Sequence, residues 1–271
     1  MKIRPRPPTR TPRETCLPNM PERTKTPPPA PPTRQKRADP HAAFAQDFRT
    51  FAKLSHKEKP RFALRWSDRW PCLHDRTATT TFDRHYVYHC AWAARVLAAT
   101  RPAVHVDFSS SLYFCTMISA FLPVQFYDYR PAPLNLDGLT SGAVDLRQLP
   151  MKDRSQSSLS CMHVVEHIGL GRYGDPREPN GDLRAMAELQ RILAPAGNLL
   201  FVVPTGKPVI RFNAHRVYAF RQIRAAFAEL RLREFALIPD DRDPRGLIRN
   251  ATEALANRQS YACGCYWFQR G

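Results

Sequence analysis

The sequence predicts an α/β protein built on a mostly parallel sheet, and three observations carry that reading. Short apolar runs of strand length alternate with helical patterns from residue 103 onward. Acids close three successive strand-like runs, at Asp107, Asp128 and Asp145. The stretch from His163 to Val203 reads in order as strand, loop, helix, turn and strand. This alternation is the pattern of right-handed βαβ units packed around a parallel sheet.

The elements follow in chain order. Residues 1–40 hold ten Lys or Arg against three acids, a net +7 within a chain of formal charge +17, and are dense in proline, as in Pro27 to Pro32. Proline fixes φ and removes amide donors, and with few apolar residues nothing offsets the entropy of ordering. A disordered, locally polyproline tail is therefore expected, an anionic-partner tether, a docking segment for proline-binding modules, or a plain extension. From His41 to Leu54 the spacing of Phe44, Phe48, Phe51 and Leu54 predicts a short amphipathic helix within a lead-in over residues 41–81. The α/β domain is expected over residues 82–271. It opens with a helix from Asp83 to Ala99, whose apolar face is read as Val87, Cys90, Ala91, Ala94 and Leu97. Strands are predicted at 103–107, 124–128, 143–145, 159–165 and 198–203, helices at 112–121, 182–193 and 221–230, and a closing strand pair at 233–238 and 261–268.

Composition narrows the function classes. A chain of 271 residues has room for one sizeable domain plus a tail. Its basic residues outside the tail are dispersed and no recognition motif accompanies them, so nucleic acid is not expected as a partner. The N-terminus has no apolar h-region and no apolar stretch approaches the length of a membrane span, which points to a soluble cytoplasmic protein without a membrane partner. Seven scattered cysteines, an odd number, read as reduced thiols of such a compartment. Cys263-Gly264-Cys265 lies in an aromatic run and reads as a pair of core thiols. Zinc there would need a second ligand pair, and the sequence displays none.

In an open parallel sheet, ligands bind outside the carboxyl ends of the strands, and that rule selects few residues. Asp107-Phe108-Ser109-Ser110-Ser111 follows the first strand, where a nucleotide-type fold normally has an acid and a glycine-rich turn. Serines supply amides and hydroxyls, but they put side chains where close approach favours none. Asp128, 21 residues after Asp107, is placed either to accept hydrogen bonds from ribose hydroxyls or to end its strand as a turn residue. Asp145 stands where an acid would contact an adenine, with the same alternative.

His163-Val-Val-Glu-His167 spells H-x-x-E-H, the inverted zinc-peptidase signature, which needs both histidines on one face of a helix. The residues before it read as a strand, and Gly169, Gly171, Gly174 and Pro176 interrupt any helix after it, so no metal is expected there. The same residues place His163, Glu166 and His167 at the carboxyl end of the fourth strand, as general bases or substrate-gripping groups, or as structural ones. Asn213, His215 and Arg216 arrive at the same rim after the fifth strand. The loop from Gly169 to Gly174 lacks the Lys and Ser/Thr of a phosphate loop and reads as a mobile or tightly folded lid.

His163 to Pro176, Gly181-Asp182-Leu183, Ile192 to Gly197, Phe212 to Arg216, Val106-Asp107 with its serines, and Phe126 to Pro131 together resemble the bacterial and nematode family called domain of unknown function 268. The resemblance covers Phe82 to the C-terminus. That family is similar to class I S-adenosylmethionine-dependent methyltransferases, which implies a three-layer Rossmann-like methyltransferase fold: a mostly parallel seven-stranded sheet with an antiparallel last strand. It implies S-adenosylmethionine as cofactor, with Asp107, Ser109, Ser110 and Ser111 forming its turn, Asp128 clamping the ribose and Asp145 contacting the adenine. Glu166, His167 and His215 are the expected catalytic groups. His163, Asn213 and Arg216 are the groups expected to bind a small-molecule or glycan-type acceptor. Serines in place of glycines support an alternative, a non-catalytic binding or scaffold protein on the same fold. A zinc hydrolase built on H-x-x-E-H stands third.

Overall fold

The computed structural model describes residues 39–58, 60–240 and 243–271, so nearly all of the tail read over residues 1–40, Cys16 included, lies outside the described residues. The chain divides into two compact units, Met1–Thr79 and Thr80–Gly271. In the first, helix α1 (Pro40–Lys57) starts at the last residue of the expected tail, with proline in its first turn and the Asp39 carboxylate accepting from the His41 amide at 3.0 Å. Phe44 and Phe48 lie against the Trp66 ring, with centroids 6.1 and 4.9 Å apart. Phe51 and Leu54, read as part of the same face, are exposed, and α1 buries no residue.

The second unit runs α2 (Arg84–Thr100), β1 (His105–Phe108), α3 (Leu112–Ile118), β2 (Val124–Asp128), β3 (Leu139–Ala143), β4 (Gln156–Met162), α4 (Gly181–Ile192), β5 (Leu193–Thr205), β6 (Val209–Arg211), β7 (His215–Val217), α5 (Phe220–Ala226), β8 (Leu230–Ile238), α6 (Glu253–Asn257) and β9 (Ala262–Arg270). Seven strands form one sheet in the order β3-β2-β1-β4-β5-β9-β8. The pairs from β3 through β5 are parallel, and β9 runs antiparallel to both β5 and β8. This is the seven-stranded, mostly parallel sheet with a reversed last strand that the sequence predicts.

Strand alternation divides the core between the two faces of the sheet. Leu199, Phe201 and Val203 of β5 pack with Ala185, Met186 and Leu189 of α4 and with Ile223 and Phe227 beyond it. Leu200 and Val202 face the other way, toward Trp92 and Val96 of α2 and Phe114 and Ile118 of α3. Helices on both faces make three layers. Each fully buried Leu, Ile, Phe or Met contributes about 1.5–3 kcal/mol, and a strand covered on both sides must be apolar on both, as β5 is.

The structure corrects several local readings. Helix α2 buries His89, Trp92, Ala93, Val96 and Leu97, while Val87 is exposed, so its inward face is rotated from the one read in sequence. The apolar pattern passed over His89 because a histidine at a core position looks polar. Strand β3 is Leu139–Ala143 rather than 143–145, so Asp145 lies past it in a turn. As an edge strand, β3 buries only Leu139 and leaves little hydrophobic signal. Strand β4 ends at Met162, three residues early, because His163 takes a left-handed φ of 58°. The β6–β7 hairpin and α6 are too short to have shown a period.

The order of β1 to β4 sets the site. From β1 the chain builds outward to β2 and β3, then returns to place β4 on the other side of β1. The switch between β1 and β4 opens a crevice at the carboxyl edge, where open α/β sheets bind ligands.

Candidate functional site

Two adjoining cavities occupy that edge. One, of about 230 Å³, is lined by Ser109, Asp128, Arg130, Asp145 and Arg147 among others; the second, of about 530 Å³, by Arg84, His85, Glu166, Arg172, His215 and Tyr261 among others. Tyr86, His163, His167 and Tyr173 line both. The smaller cavity is the one that the ends of β1, β2 and β3 build.

The turn after β1 contributes less to it than the sequence suggested. Ser109 has φ 56°, the left-handed backbone a glycine would take, and its amide and hydroxyl both donate to the Tyr127 carbonyl at 2.7 and 3.2 Å. Holding a non-glycine residue there costs about 1–2 kcal/mol, and the hydroxyl is drawn back onto the strand. Asp107 does not reach the cavity. It is fully buried, accepts from the Ser110 amide at 3.0 Å and takes the Ser160 hydroxyl on its other oxygen. Burial pushes its carboxyl pKa up, opposed by those hydrogen bonds. Ser110 is equally internal, its hydroxyl accepting from the Met162 amide at 3.1 Å, and Ser111 precedes α3 without lining either cavity. Asp107, Ser110 and Ser111, expected as cofactor contacts, thus shape the turn from behind and line neither cavity.

Asp128 and Asp145 do line the smaller cavity. Asp128 accepts from the Arg130 amide at 2.7 Å through Oδ1, and Oδ2 has no hydrogen-bond partner among the described residues. Asp145 is held by Arg147, whose amide and Nε donate to Oδ1 at 2.9 and 3.0 Å and whose Nη2 donates to Oδ2 at 2.6 Å. Those bonds lower its pKa below the usual carboxylate value. A carboxylate accepts about four hydrogen bonds, so roughly one site remains open.

At the end of β4 the H-x-x-E-H residues form no α-helix: His163 is left-handed and Val165–His167 is a single 3-10 turn. His163 Nδ1 donates to Glu166 Oε1 at 2.9 Å. His167 turns toward the β6–β7 hairpin, with Nδ1 2.6 Å from the Ala214 carbonyl. A carbonyl only accepts, so Nδ1 carries the hydrogen and neutral His167 presents its lone pair on Nε2. The paired helical geometry of a zinc peptidase is absent. Glu166 is 1% exposed, sits beneath both imidazoles and reaches His167 Nε2 only at 3.9 Å. Three buried atoms here, His163 Nε2, Glu166 Oε2 and His215 Nε2, lack hydrogen-bond partners among the described residues. A buried polar group left unpaired costs about 1–3 kcal/mol, so each of the three is a position open to a further hydrogen bond or ligand bond.

Of the residues expected after β5, His215 lines the larger cavity beside Tyr261, ring centroids 5.0 Å apart, and burial and then Arg211 hold its pKa below 6.5. Asn213 is exposed in the hairpin turn and lines neither cavity. Arg216 is buried away from both, donating to the Ile168 and Pro179 carbonyls at 2.7 and 3.1 Å. Both were read as acceptor-binding; Arg216 instead anchors the glycine loop. That loop is tightly folded: Asp175 accepts from the Gly169 and Tyr173 amides at 2.7 and 3.2 Å.

Sequence reading missed the aromatic walls. Tyr86 stacks on His163, centroids 5.5 Å apart, and Tyr173 meets His167 edge-on at 5.6 Å beneath the Arg130 guanidinium, 4.6 Å from its centroid. Burial, then Glu166, push the Tyr86 hydroxyl up to about 12. The available signal was the Asp83 N-cap, which accepts from the Tyr86 amide at 3.1 Å and so fixes His85 and Tyr86 in the first turn of α2. A helix that leads directly into β1 returns its first turn to the carboxyl edge.

The strand order with its reversed β9, and a crevice at the β1/β4 switch, define an α/β fold with a mostly parallel seven-stranded sheet and a ligand-type cleft at its carboxyl edge. Residues 153–232, which hold His163, Glu166, His167 and His215, match the family model described as Caenorhabditis protein of unknown function, DUF268. Among solved structures the chain is similar to the 1,6-didemethyltoxoflavin-N1-methyltransferase of Burkholderia thailandensis, crystallised with 1,6-didemethyltoxoflavin and S-adenosylhomocysteine. The identity is 14%, the TM-score 0.47, and the match covers 88% of this chain and 93% of that one. It is also similar to the N-methyltransferase NodS of Bradyrhizobium japonicum in complex with S-adenosylhomocysteine, at 12% identity and TM-score 0.49 over 68% of this chain and 86% of that one. No curated protein matches the sequence.

Proposed function

We propose that this chain is an S-adenosylmethionine-dependent methyltransferase that holds its cofactor in the smaller cavity and a small-molecule or glycan-type acceptor in the larger one. The observation that carries this reading is the shared wall: Tyr86, His163, His167 and Tyr173 border both cavities, which sets a cofactor space and an acceptor space side by side. The lining of the smaller cavity fits the cofactor. Asp128 Oδ2 is free to accept from ribose hydroxyls, Asp145 keeps an acceptor site for an adenine amino group, and Ser109 supplies the left-handed turn with its hydroxyl folded away.

When bound, S-adenosylmethionine supplies an activated methyl group; the protein aligns the acceptor with it and keeps water out. His167 Nε2 takes the proton of a hydroxyl or ammonium acceptor, its ring held by the Ala214 carbonyl. Glu166, behind the imidazoles, is a positioning residue for His163 rather than a base that touches the acceptor. His215 borders the acceptor space, and the Tyr86 and Tyr173 rings restrict solvent.

Calorimetry with S-adenosylmethionine and S-adenosylhomocysteine tests the reading. Both should bind, and Asp128→Ala should weaken S-adenosylhomocysteine at least tenfold, about 1.4 kcal/mol. No binding of either ligand overturns it and favours the second reading, a binding or scaffold protein, which the serine-substituted turn supports.

A further inference from the structure

His85 and His163, which line the larger cavity, belong to a cluster that methyl transfer does not require. His85 from α2, His163 from the end of β4 and Cys263 from β9 bring one ligand atom each to within 4.8 Å of one another. Three elements distant in sequence converge on that point, and Cys263 is fully buried there. The Glu166 carboxylate takes Nδ1–H of His163 at 2.9 Å, which leaves the lone pair of that imidazole on Nε2. Among the described residues, that buried nitrogen has no hydrogen-bond partner. A histidine whose far nitrogen is tied to a carboxylate while the near one is bare is the arrangement that orients a metal-binding imidazole and raises its basicity.

We propose that His85, His163 and Cys263 bind a zinc-class transition metal, with the fourth coordination position open to the larger cavity. Two imidazoles and a thiolate suit Zn²⁺ or Co²⁺ and exclude the hard oxygen-seeking cations. Two neutral histidines, one thiolate and the Glu166 carboxylate together balance a divalent ion. Binding releases the Cys263 thiol proton to solvent. Tetrahedral ligation at ~2.0–2.3 Å per bond brings the three donor atoms about 1 Å closer together than they stand here, and it requires the His85 ring to turn out of its stack on His163 and Tyr261, where the centroids lie 5.5 and 5.4 Å apart. This is not the H-x-x-E-H zinc site: His163 alone is common to both, Glu166 orients it, and His167 is bonded to Ala214. The site does not depend on the proposed cofactor, and metal content and cofactor binding are measured separately.

The test uses the full chain without a polyhistidine tag, supplied with zinc during expression, dialysed and assayed by elemental analysis. One zinc per chain is expected, falling below a tenth in His163→Ala and Cys263→Ser and staying at one in His167→Ala. Cobalt substitution should produce a thiolate-to-cobalt charge-transfer band that Cys263→Ser removes, with circular dichroism showing that the variants remain folded. A metal-free wild-type protein that also gives no such band with added cobalt overturns the proposal. So does metal whose stoichiometry and spectrum are the same in folded Cys263→Ser.

Discussion

His105 stands between the Ser158 and Ser160 hydroxyls, 2.8 Å from each, inside the sheet. Burial lowers its pKa from 6.5 to about 3. Its folded-state pKa is depressed, so the stability tied to its neutral form is complete above pH 6.5 and is lost as the pH falls toward 3. Over that window the loss is about 1.4 kcal/mol per pH unit. Urea unfolding of the wild type and His105→Gln at several pH values should give a wild-type stability that declines more steeply below pH 6.5. Equal slopes would contradict it. At the site, His167→Ala should leave S-adenosylhomocysteine affinity within twofold while reducing transfer to a hydroxyl acceptor about 10²–10⁴-fold, the usual contribution of a positioned base; matched calorimetry and turnover measurements separate the two.

At the scale of elements, the glycine loop is the connection whose geometry decides most. Gly169 has φ 78°, and a Cβ there would lie 2.0 Å from the Glu178 carbonyl. Gly169→Ala should therefore destabilise the domain by about 2 kcal/mol or more, a strain and a clash together. Chemical denaturation measures it, and a change under 0.5 kcal/mol would show that the loop yields freely. The loop's glycines were visible in the sequence, but its clamp was not. Arg216 looked like a rim residue because it follows β5 by a short interval, and only the fold carries it behind the loop to the Ile168 and Pro179 carbonyls. Strand β5 was legible because it is apolar on both faces, and β1, β2 and β4 through alternate apolar positions such as Val106 and Phe108, Val124 and Phe126, and Leu159 and Cys161. Edge strand β3 was misplaced because half-exposed backbone leaves no such signature.

For the whole molecule, Thr80–Gly271 contains the complete seven-stranded sheet and both core layers. A fragment starting at Thr80 should unfold in one cooperative transition and bind S-adenosylhomocysteine within threefold of the full chain, as scanning calorimetry and titration would show. Loss of cooperativity would mean that the preceding unit completes the core. Hydrophobic periodicity determined the α/β class, the sheet's strand sequence and the acids at its carboxyl edge, because periodicity and chain order are local properties. Which acids face the crevice was decided in three dimensions. Asp128 and Asp145 border the cavity, whereas Asp107 pairs with Phe126, two residues short of Asp128 on the neighbouring strand, and so lies within the sheet with its carboxylate taken by Ser110 and Ser160. The meeting of His85, His163 and Cys263 was likewise invisible along the chain, since it is made by packing α2 and β9 against the end of β4, and separations of this kind are closed only by the tertiary fold.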